Sequence, residues 1–309
     1  MAKTFVVLLN WNNKEMTAEC VRSLFAMKER DFQTVVVDNG SRDDSVTYLR
    51  QMFPEILVIA NEKNLGFTGG CNVGMARALE LGADFILLVN NDVVVDENLL
   101  GKLLADAERN PSVGMVSPKI YYYAEPQRLW WAGGVYNPWV GLPKVLGLRR
   151  QDGKKYSAAR EIDWATGCVV LLRSCALRDA GSFNEEFFSY VEDLDLSLRV
   201  RDAGYTIRFA PQAKVWHKVG VYNRKDSGEH TRVFFNTRNL LWLTNQRASP
   251  MHWLVFWINF GLRQVPRVIV KSLLQGNVRV LKGLLQGLIA FWEVPLPSDA
   301  HKVSPEARA

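Results

Sequence analysis

An α/β fold with a mostly parallel central sheet flanked by helices is what this sequence predicts, and three observations predict it. Short continuous apolar runs recur near the N-terminus, as in strands covered on both faces. Stretches of helical periodicity alternate with them, which implies right-handed crossovers. Polar residues follow each run (Asn10 and Asn12, Asp38 and Asn39, Asn90-Asn91-Asp92), where an open parallel sheet places its ligand crevice. The 309 residues, 48% hydrophobic and 23% charged, can bury a sizeable core and lie outside the disordered class.

Thr4 to Leu9 reads as the first strand, and Thr17 to Met27 as a helix carrying Val21, Leu24 and Phe25 on one face. Thr34 to Val37 is the second strand. Its turn, Asp38 to Ser41, leads through Asp43 and Asp44 into a helix with Val46, Leu49 and Met52. Ile56 to Ala60 is a strand, Gly74 to Leu81 a helix and Phe85 to Val89 a strand. Residues Tyr121 to Lys155, rich in Gly, Pro, Trp and Tyr, read as loop. A strand over Gly167 to Leu172, a helix over Asp193 to Ala203 and a strand over Thr206 to Phe209 follow.

The formal charge of +6 favours anionic partners. A nucleic-acid-binding module would carry a basic stripe interleaved with aromatics across its sheet. Here the basic bias lies in an apolar C-terminal stretch instead, so nucleic acid is not expected. The four cysteines lack metal-ligand spacing and read as small buried hydrophobes in a reducing compartment. Met1 to Asn10 lacks the features of a secretory signal, and no run reaches the ~20 apolar residues that span a bilayer.

Four constellations carry chemistry. Asn90-Asn91-Asp92, at a buried strand's exit, can hold a hard divalent cation on Asp92, or can simply be a polar turn. Glu192-Asp193-Leu194-Asp195 can present a general base, or can complement a helix dipole. His217 is a packed or surface histidine unless Asp92 already holds a cation, in which case its imidazole can complete the shell. The glycine-rich run Asn61 to Gly74 can admit an anion to backbone N–H groups, but its spacing matches neither the dinucleotide fingerprint nor the Walker A loop.

Taken in order, Leu9-Asn10-Trp11-Asn12, Val35 to Ser41, Asn64-Leu65-Gly66-Phe67 with Gly70 and Asn72, Asn90-Asn91-Asp92, Ala165-Thr166-Gly167, Glu192 to Asp195, His217 and Arg238-Asn239 resemble the family 2 glycosyltransferases of GT-A fold, in their bacterial rhamnosyltransferase-like branch. The resemblance runs from about Thr4 to about Asn245. It implies transfer of a sugar from a nucleotide-sugar donor, dTDP-rhamnose or a UDP-hexose, to a polyprenyl-diphosphate-linked or polysaccharide hydroxyl, with inversion. By the same resemblance Asn10, Asn12, Asp38, Asn64, Gly66, Gly70, Asn72, Asn90, Asn91 and Asp92 would frame the nucleotide sugar. Asp92 and His217 would hold Mg²⁺ or Mn²⁺, and Asp193 would be the catalytic base. Glu192 and Asp195 would order the acceptor or the helix start, and Trp164, Thr166, Gly167, Arg238 and Asn239 would order the acceptor or support the base. The first position of the metal motif is asparagine where many relatives have aspartate, which leaves fewer charges for a cation.

The domain expectation is a catalytic domain over 1–249, divided near 120 into nucleotide-sugar and acceptor halves. A basic amphipathic segment over 250–295 and a flexible tail over 296–309 follow. Arg267, Lys271, Gln275 and Arg279 recur at every fourth position, set among Val268, Ile269, Leu273 and Leu274. Such a pattern suits an anionic membrane surface at the cytoplasmic face of a bacterial inner membrane. Packing on the catalytic domain, or a homo-oligomer interface, is the other use of that surface. The rival functions are a nucleotidyltransferase, disfavoured by Asn10-Trp11-Asn12-Asn13 in the first strand–helix turn, and a nucleotide-sugar or glycan binder without transfer activity.

Overall fold

The computed structural model describes residues 2–219 and 228–293, so the tail expected over 296–309 lies outside the described residues. Strands β1 (Thr4–Asn10), β2 (Phe32–Asp38) and β3 (Leu57–Ala60) alternate with helices α1 (Lys14–Phe25), α2 (Ser45–Met52) and α3 (Gly66–Glu80). Then come β4 (Phe85–Asn90), β5 (Val93–Val95), α4 (Leu99–Glu108), β6 (Val113–Tyr122), β7 (Glu125–Trp131), β8 (Gly134–Asn137) and β9 (Leu142–Val145). β10 (Arg160–Glu161), β11 (Val169–Arg173), α5 (Ser174–Ala180), α6 (Glu192–Asp202) and β12 (Thr206–His217) follow. Helices α7 (Gly228–Arg247), α8 (Pro250–Asn259), α9 (Val265–Leu274) and α10 (Val278–Glu293) end the described chain.

The main sheet runs β10-β12-β6-β11-β4-β1-β2-β3. β3, β2, β1 and β4 are parallel, and β11 is antiparallel to both β4 and β6. β6 therefore points along β4 again, with β12 parallel to it. Phe5 to Leu8 and Ile86 to Val89 are buried between helical layers, which is why these strands are continuous apolar runs. β4 and β11 are central, so the loops after β4 and before β11 open at the same edge.

Three expectations change. First, α3 begins at Gly66, not Gly74, so most of the glycine-rich run is helix. Glycine costs a helix about 1 kcal/mol per residue relative to alanine, but packing overrides it here. A Cβ on Gly70 would sit 2.4 Å from Leu9 Cδ1, and one on Gly74 the same distance from Val7 Cγ1. These glycines let α3 lie against β1. Second, residues 121–155 hold the end of β6 and strands β7 to β9 rather than loop. The inward positions of β7 are Leu129 and Trp131, too few for an alternating pattern to stand out among the Pro and Trp residues. Third, β12 extends to His217, beyond Phe209, through a register shift between Ala210 and Lys214 beside Pro211.

The described residues form two compact units. One comprises Met1–Val135, Val145–Phe188 and Glu192–Val219, and holds the main sheet. The other comprises Tyr136–Lys144, Ser189–Val191 and the helices from Gly228 onward. In this second unit Leu241 and Trp242 of α7, Phe256 of α8, Phe260 and Phe291 of α10 share one apolar cluster. α8 passes through a π turn (Phe260–Gln264) into α9, with Pro266 in the first turn of α9, where its missing N–H is harmless. The basic repeat of Arg267, Lys271, Gln275 and Arg279 is thus divided, since α9 ends at Leu274 and Arg279 belongs to α10.

Candidate active site

The Asn90-Asn91-Asp92 turn and Asp193 are both bonded to the stretch where β4 exits and β11 enters, and His217 joins them through Asp92. Asn90 N–H donates to the Cys168 carbonyl at 2.8 Å, fixing the start of the Asn90-Asn91-Asp92 turn. Asn91 Nδ2 donates to Thr17 Oγ1 at 2.9 Å. Asp92 Oδ2 lies 3.0 Å from His217 Nε2, because β5 pairs with β12 and sets His217 opposite Val93. Trp130 packs edge-on against the imidazole, with ring centroids 4.6 Å apart. Burial opposes a charge on His217, but Cys168 and Asp92 beside it hold its pKa well above the usual imidazole value.

Asp193 is anchored at Gly167, the residue before Cys168. Gly167 N–H donates to its Oδ2 at 3.1 Å, and Leu194 N–H to its Oδ1 at 2.8 Å. Burial raises its pKa above the ordinary carboxylate value, and the bonds from Gly167, Leu194 and the Thr166 hydroxyl restrain that rise. A Cβ on Gly167 would meet Phe67 at 3.3 Å and the Asp193 Cβ at 3.6 Å, so the glycine admits the close approach. The Cys168 thiol feels both Asp92 and Asp193. Asp92, His217 and Asp193 therefore converge on Gly167-Cys168.

Glu192 is buried, and its Oε2 has no hydrogen-bond partner. Burial lifts its carboxyl well above the usual range, with Asp193 adding to the shift. Asp195 is buried in a salt bridge with Arg199, 2.8 Å long, and Arg199 in turn donates to the carbonyls of Gly181 and Ser182. Asp195 thus fastens α6 to the end of α5. Trp164 Nε1 donates to Val135 O at 3.3 Å, and its ring meets Trp131 edge-on.

At the expected nucleoside corner the polar side chains bond one another. Asn10 Nδ2 donates to Asp38 Oδ2 at 2.7 Å, and Thr17 Oγ1 donates to Asn10 Oδ1 at 2.7 Å. Ser41 donates through its N–H and its hydroxyl to the same Asp38 carboxylate. Asp38 is only 1% exposed, and these bonds fix its carboxylate and the Asn10 amide at the ends of β1 and β2. Asn12 Oδ1 accepts from Arg42 N–H at this corner's rim. Asn39, which reasoning from sequence left in the background, links Asn64, Leu65 and Gly66 through its side-chain amide. Gly66 has φ +76°, and a Cβ there would strike the Phe188 carbonyl at 2.5 Å. Asn72 ties α3 to Phe183 and Glu185.

Lys218 was also missed. Its N–H donates to Asp92 O at 2.8 Å, and its ammonium pairs with Glu19, so a cationic side chain stands next to the Asp92 turn. Only its position after His217 in Lys214-Val215-Trp216-His217-Lys218 could have signalled it.

Arg238 and Asn239 belong to α7 in the second unit. Arg238 stacks its guanidinium over Trp242, 4.1 Å from the ring centroid. Asn239 Nδ2 donates to Ser189 O at 2.9 Å and Tyr190 O at 2.7 Å. Tyr190 and Val191 have φ +69° and +71°, a region costing about 1–3 kcal/mol for such side chains, just before Glu192. Asn239 is one of the groups that hold this strained segment.

Asp92 Oδ1 and His217 Nδ1 are buried without hydrogen-bond partners. A free carboxylate oxygen beside an imidazole fits a hard divalent cation. Among the described residues no third His, Cys, Asp or Glu joins them, so a donor's phosphates would have to supply further ligands.

Residues 5–179 match the family described as Glycosyl transferase family 2. The chain belongs to that family. It is 25% identical over 296 residues to the N-acetylglucosaminyl-diphospho-decaprenol L-rhamnosyltransferase of Mycobacterium tuberculosis, a match covering 86% of this chain and 92% of the relative. To the low-salt glycan biosynthesis hexosyltransferase Agl10 of Haloferax volcanii it is 23% identical over 247 residues, covering 79% and 76%. This family 2 enzyme, a glycosyltransferase of the rhamnosyltransferase-like branch, has the GT-A fold of solved relatives. GalNAc-T7 with UDP, GalNAc and Mn²⁺ superposes with a TM-score of 0.63 at 15% identity, over 79% of this chain and only 48% of that one. The mannosyltransferase PcManGT from Pyrobaculum calidifontis, with GDP-Man and Mn²⁺, gives 0.59 at 12% identity over 94% and 87%.

Proposed function

We propose that this glycosyltransferase moves L-rhamnose from dTDP-rhamnose to a hydroxyl of a polyprenyl-diphosphate-linked glycan, with inversion and with the help of Mg²⁺ or Mn²⁺. The convergence of Asp92 and Asp193 on Gly167-Cys168 carries the mechanism. The near full-length match to an enzyme whose name gives L-rhamnose and a diphospho-decaprenol acceptor supports the substrates.

Asp193 takes the acceptor's hydroxyl proton as the new C–O bond forms at the anomeric carbon. The bond to the nucleoside diphosphate breaks on the opposite face in the same displacement. Burial raises the Asp193 pKa, and the bonds from Gly167 N–H and Thr166 favour the ionised carboxylate against it and aim it. Asp92 and His217 would hold the cation, which when bound stabilises charge on the departing diphosphate. Lys218, its ammonium paired with Glu19, braces that turn through its N–H to the Asp92 carbonyl. A divalent cation chelated away should therefore cost turnover more than nucleotide affinity.

The test is a panel of dTDP-, UDP- and GDP-sugars with a polyprenyl-diphosphate N-acetylglucosamine acceptor, with and without EDTA, and with the product anomer read by NMR. Preferred use of dTDP-rhamnose, loss of turnover in EDTA and an inverted anomer support the reading. A retained anomer, or transfer undiminished in EDTA, overturns the corresponding part of it.

A second proposal concerns place. The exposed apolar and basic residues of α8 to α10 would dock the enzyme on anionic lipid at the cytoplasmic face of the inner membrane, near a lipid-linked acceptor. No helix among the described residues is long and apolar enough to cross a membrane.

A further inference from the structure

We propose that the sheet carries a second glycan subsite on the face turned away from His217, selective for a sugar residue bearing a carboxylate. Along β12, Val215 and His217 are buried on one side, while Lys214 and Trp216 alternate to the other. There they meet Lys119 and Tyr121 of β6, Lys214 opposite Lys119 and Trp216 opposite Tyr121. These four, with Gln127 and Asp152, line a hollow of about 420 Å³, within the range of small-molecule sites.

Two like charges directly across a strand pair destabilise it. One is neutralised here: both oxygens of Asp152 accept from Lys119 Nζ at 2.9 Å, and the Tyr121 hydroxyl donates to Asp152 at 2.6 Å. Lys214 has no carboxylate within ion-pair distance among the described residues. The wall therefore keeps one unmatched positive charge, and an anion in the hollow would pair with Lys214.

The aromatic pair selects the rest of the ligand. Tyr121 and Trp216 stack with centroids 6.0 Å apart and planes 20° from parallel. Trp216 Nε1 donates to Pro126 O at 3.4 Å, which fixes the indole. Trp216, half-buried and stacked on the buried Tyr121, offers an aromatic face that suits the C–H face of a pyranose, and the Gln127 amide can meet its hydroxyls. A nucleobase would be better served by a slot with two faces. The ligand that matches aromatic face, amide and free ammonium together is a uronic acid residue of a glycan.

Binding at this hollow is measured without donor or metal, so it stands or falls apart from the transfer reaction. The full chain is titrated calorimetrically with a galacturonate trimer, its methyl ester, inorganic phosphate and dTMP. The trimer should bind at least tenfold more tightly than its ester. Lys214→Met should weaken trimer binding at least tenfold while donor hydrolysis and thermal midpoint stay as in the wild type, and Lys214→Arg should retain it. Equal binding of trimer and ester, trimer binding untouched by Lys214→Met, or phosphate or dTMP binding through Lys214 as tightly as the trimer would overturn the proposal.

Discussion

Gly167 N–H donates to Asp193 Oδ2 across 3.1 Å, and the carbonyl of the next residue accepts from Asn90 N–H at 2.8 Å. One dipeptide thereby mounts the proposed base and the turn bearing Asp92. Replacing Asp193 by Asn keeps the shape of the mount and removes the proton acceptor. Transfer should fall about 10²–10⁴-fold, the usual worth of a positioned base, with nucleotide affinity retained. Burial raises the Asp193 pKa, so transfer should increase as pH passes upward through and beyond the ordinary carboxyl range. Because the Thr166 hydroxyl restrains that pKa, Thr166→Val should move the rising limb of a kcat–pH profile to higher pH. A limb that stays in place would remove Thr166 from this role.

Glu192 makes a prediction about stability. Its folded-state pKa lies well above its unfolded value, chiefly through burial. Between those two values the folded chain holds the proton that the unfolded chain has released, so stability falls as pH rises through that window. Glu192→Gln removes the titration and keeps the volume. The thermal midpoint of the variant relative to wild type should therefore climb as pH is raised from about 4 to 8. A difference that stays flat across this series would mean that Glu192 is charged and satisfied in the fold.

Asp195 is two residues from the base yet should behave oppositely. Asp195→Asn leaves the buried Arg199 guanidinium without its counter-charge, and breaking such a pair costs about 3–5 kcal/mol. Urea unfolding should register that loss, while transfer per folded molecule stays near wild type. A large fall in kcat at unchanged stability would return Asp195 to the acceptor site.

What the sequence made legible was local. β1 and β4 announce themselves because a strand buried on both faces is an unbroken apolar run. β7 does not, since only Leu129 and Trp131 of it are buried. The Asn10–Asp38 bond joins residues 28 apart, and no local pattern tells that these polar side chains bond each other. His217 and Asp92 are 125 residues apart, and only the ordered family motifs paired them. Lys218 and Asn39 escaped because each acts through contacts created by the fold.

The packing role of the glycines of α3 can be measured. At Gly74 an added methyl would lie 2.4 Å from Val7 Cγ1 and 3.0 Å from Val37 Cγ2, both in the sheet. Gly74→Ala should therefore destabilise by about 1–3 kcal/mol despite alanine's better helix propensity. Gly101, inside α4, has nothing within 4 Å of an added Cβ. Gly101→Ala should stabilise by up to about 1 kcal/mol. Equal effects of the two substitutions in urea titrations would mean that α3 does not depend on close approach to β1.

The C-terminal helices pose the question of how to test membrane docking without unfolding the unit that docks. Truncation after Ser249 is a poor choice, because it removes Phe256, Phe260 and Phe291 from the cluster they form with Leu241 and Trp242. Point changes on exposed side chains avoid this. Leu262 is 75% exposed and Leu274 83%, and Arg263, Arg267 and Lys271 are exposed nearby on the same stretch. Wild-type chain should sediment with vesicles containing acidic phospholipid, less with neutral vesicles, and less as salt screens the basic residues. Leu262→Glu with Leu274→Glu should abolish sedimentation while transfer to a short-chain soluble acceptor persists, since neither side chain supports the apolar cluster. Unchanged sedimentation would end the membrane assignment. If the double variant instead converts a dimer to a monomer in analytical ultracentrifugation and the wild type ignores vesicles, the apolar face serves a second copy of the chain.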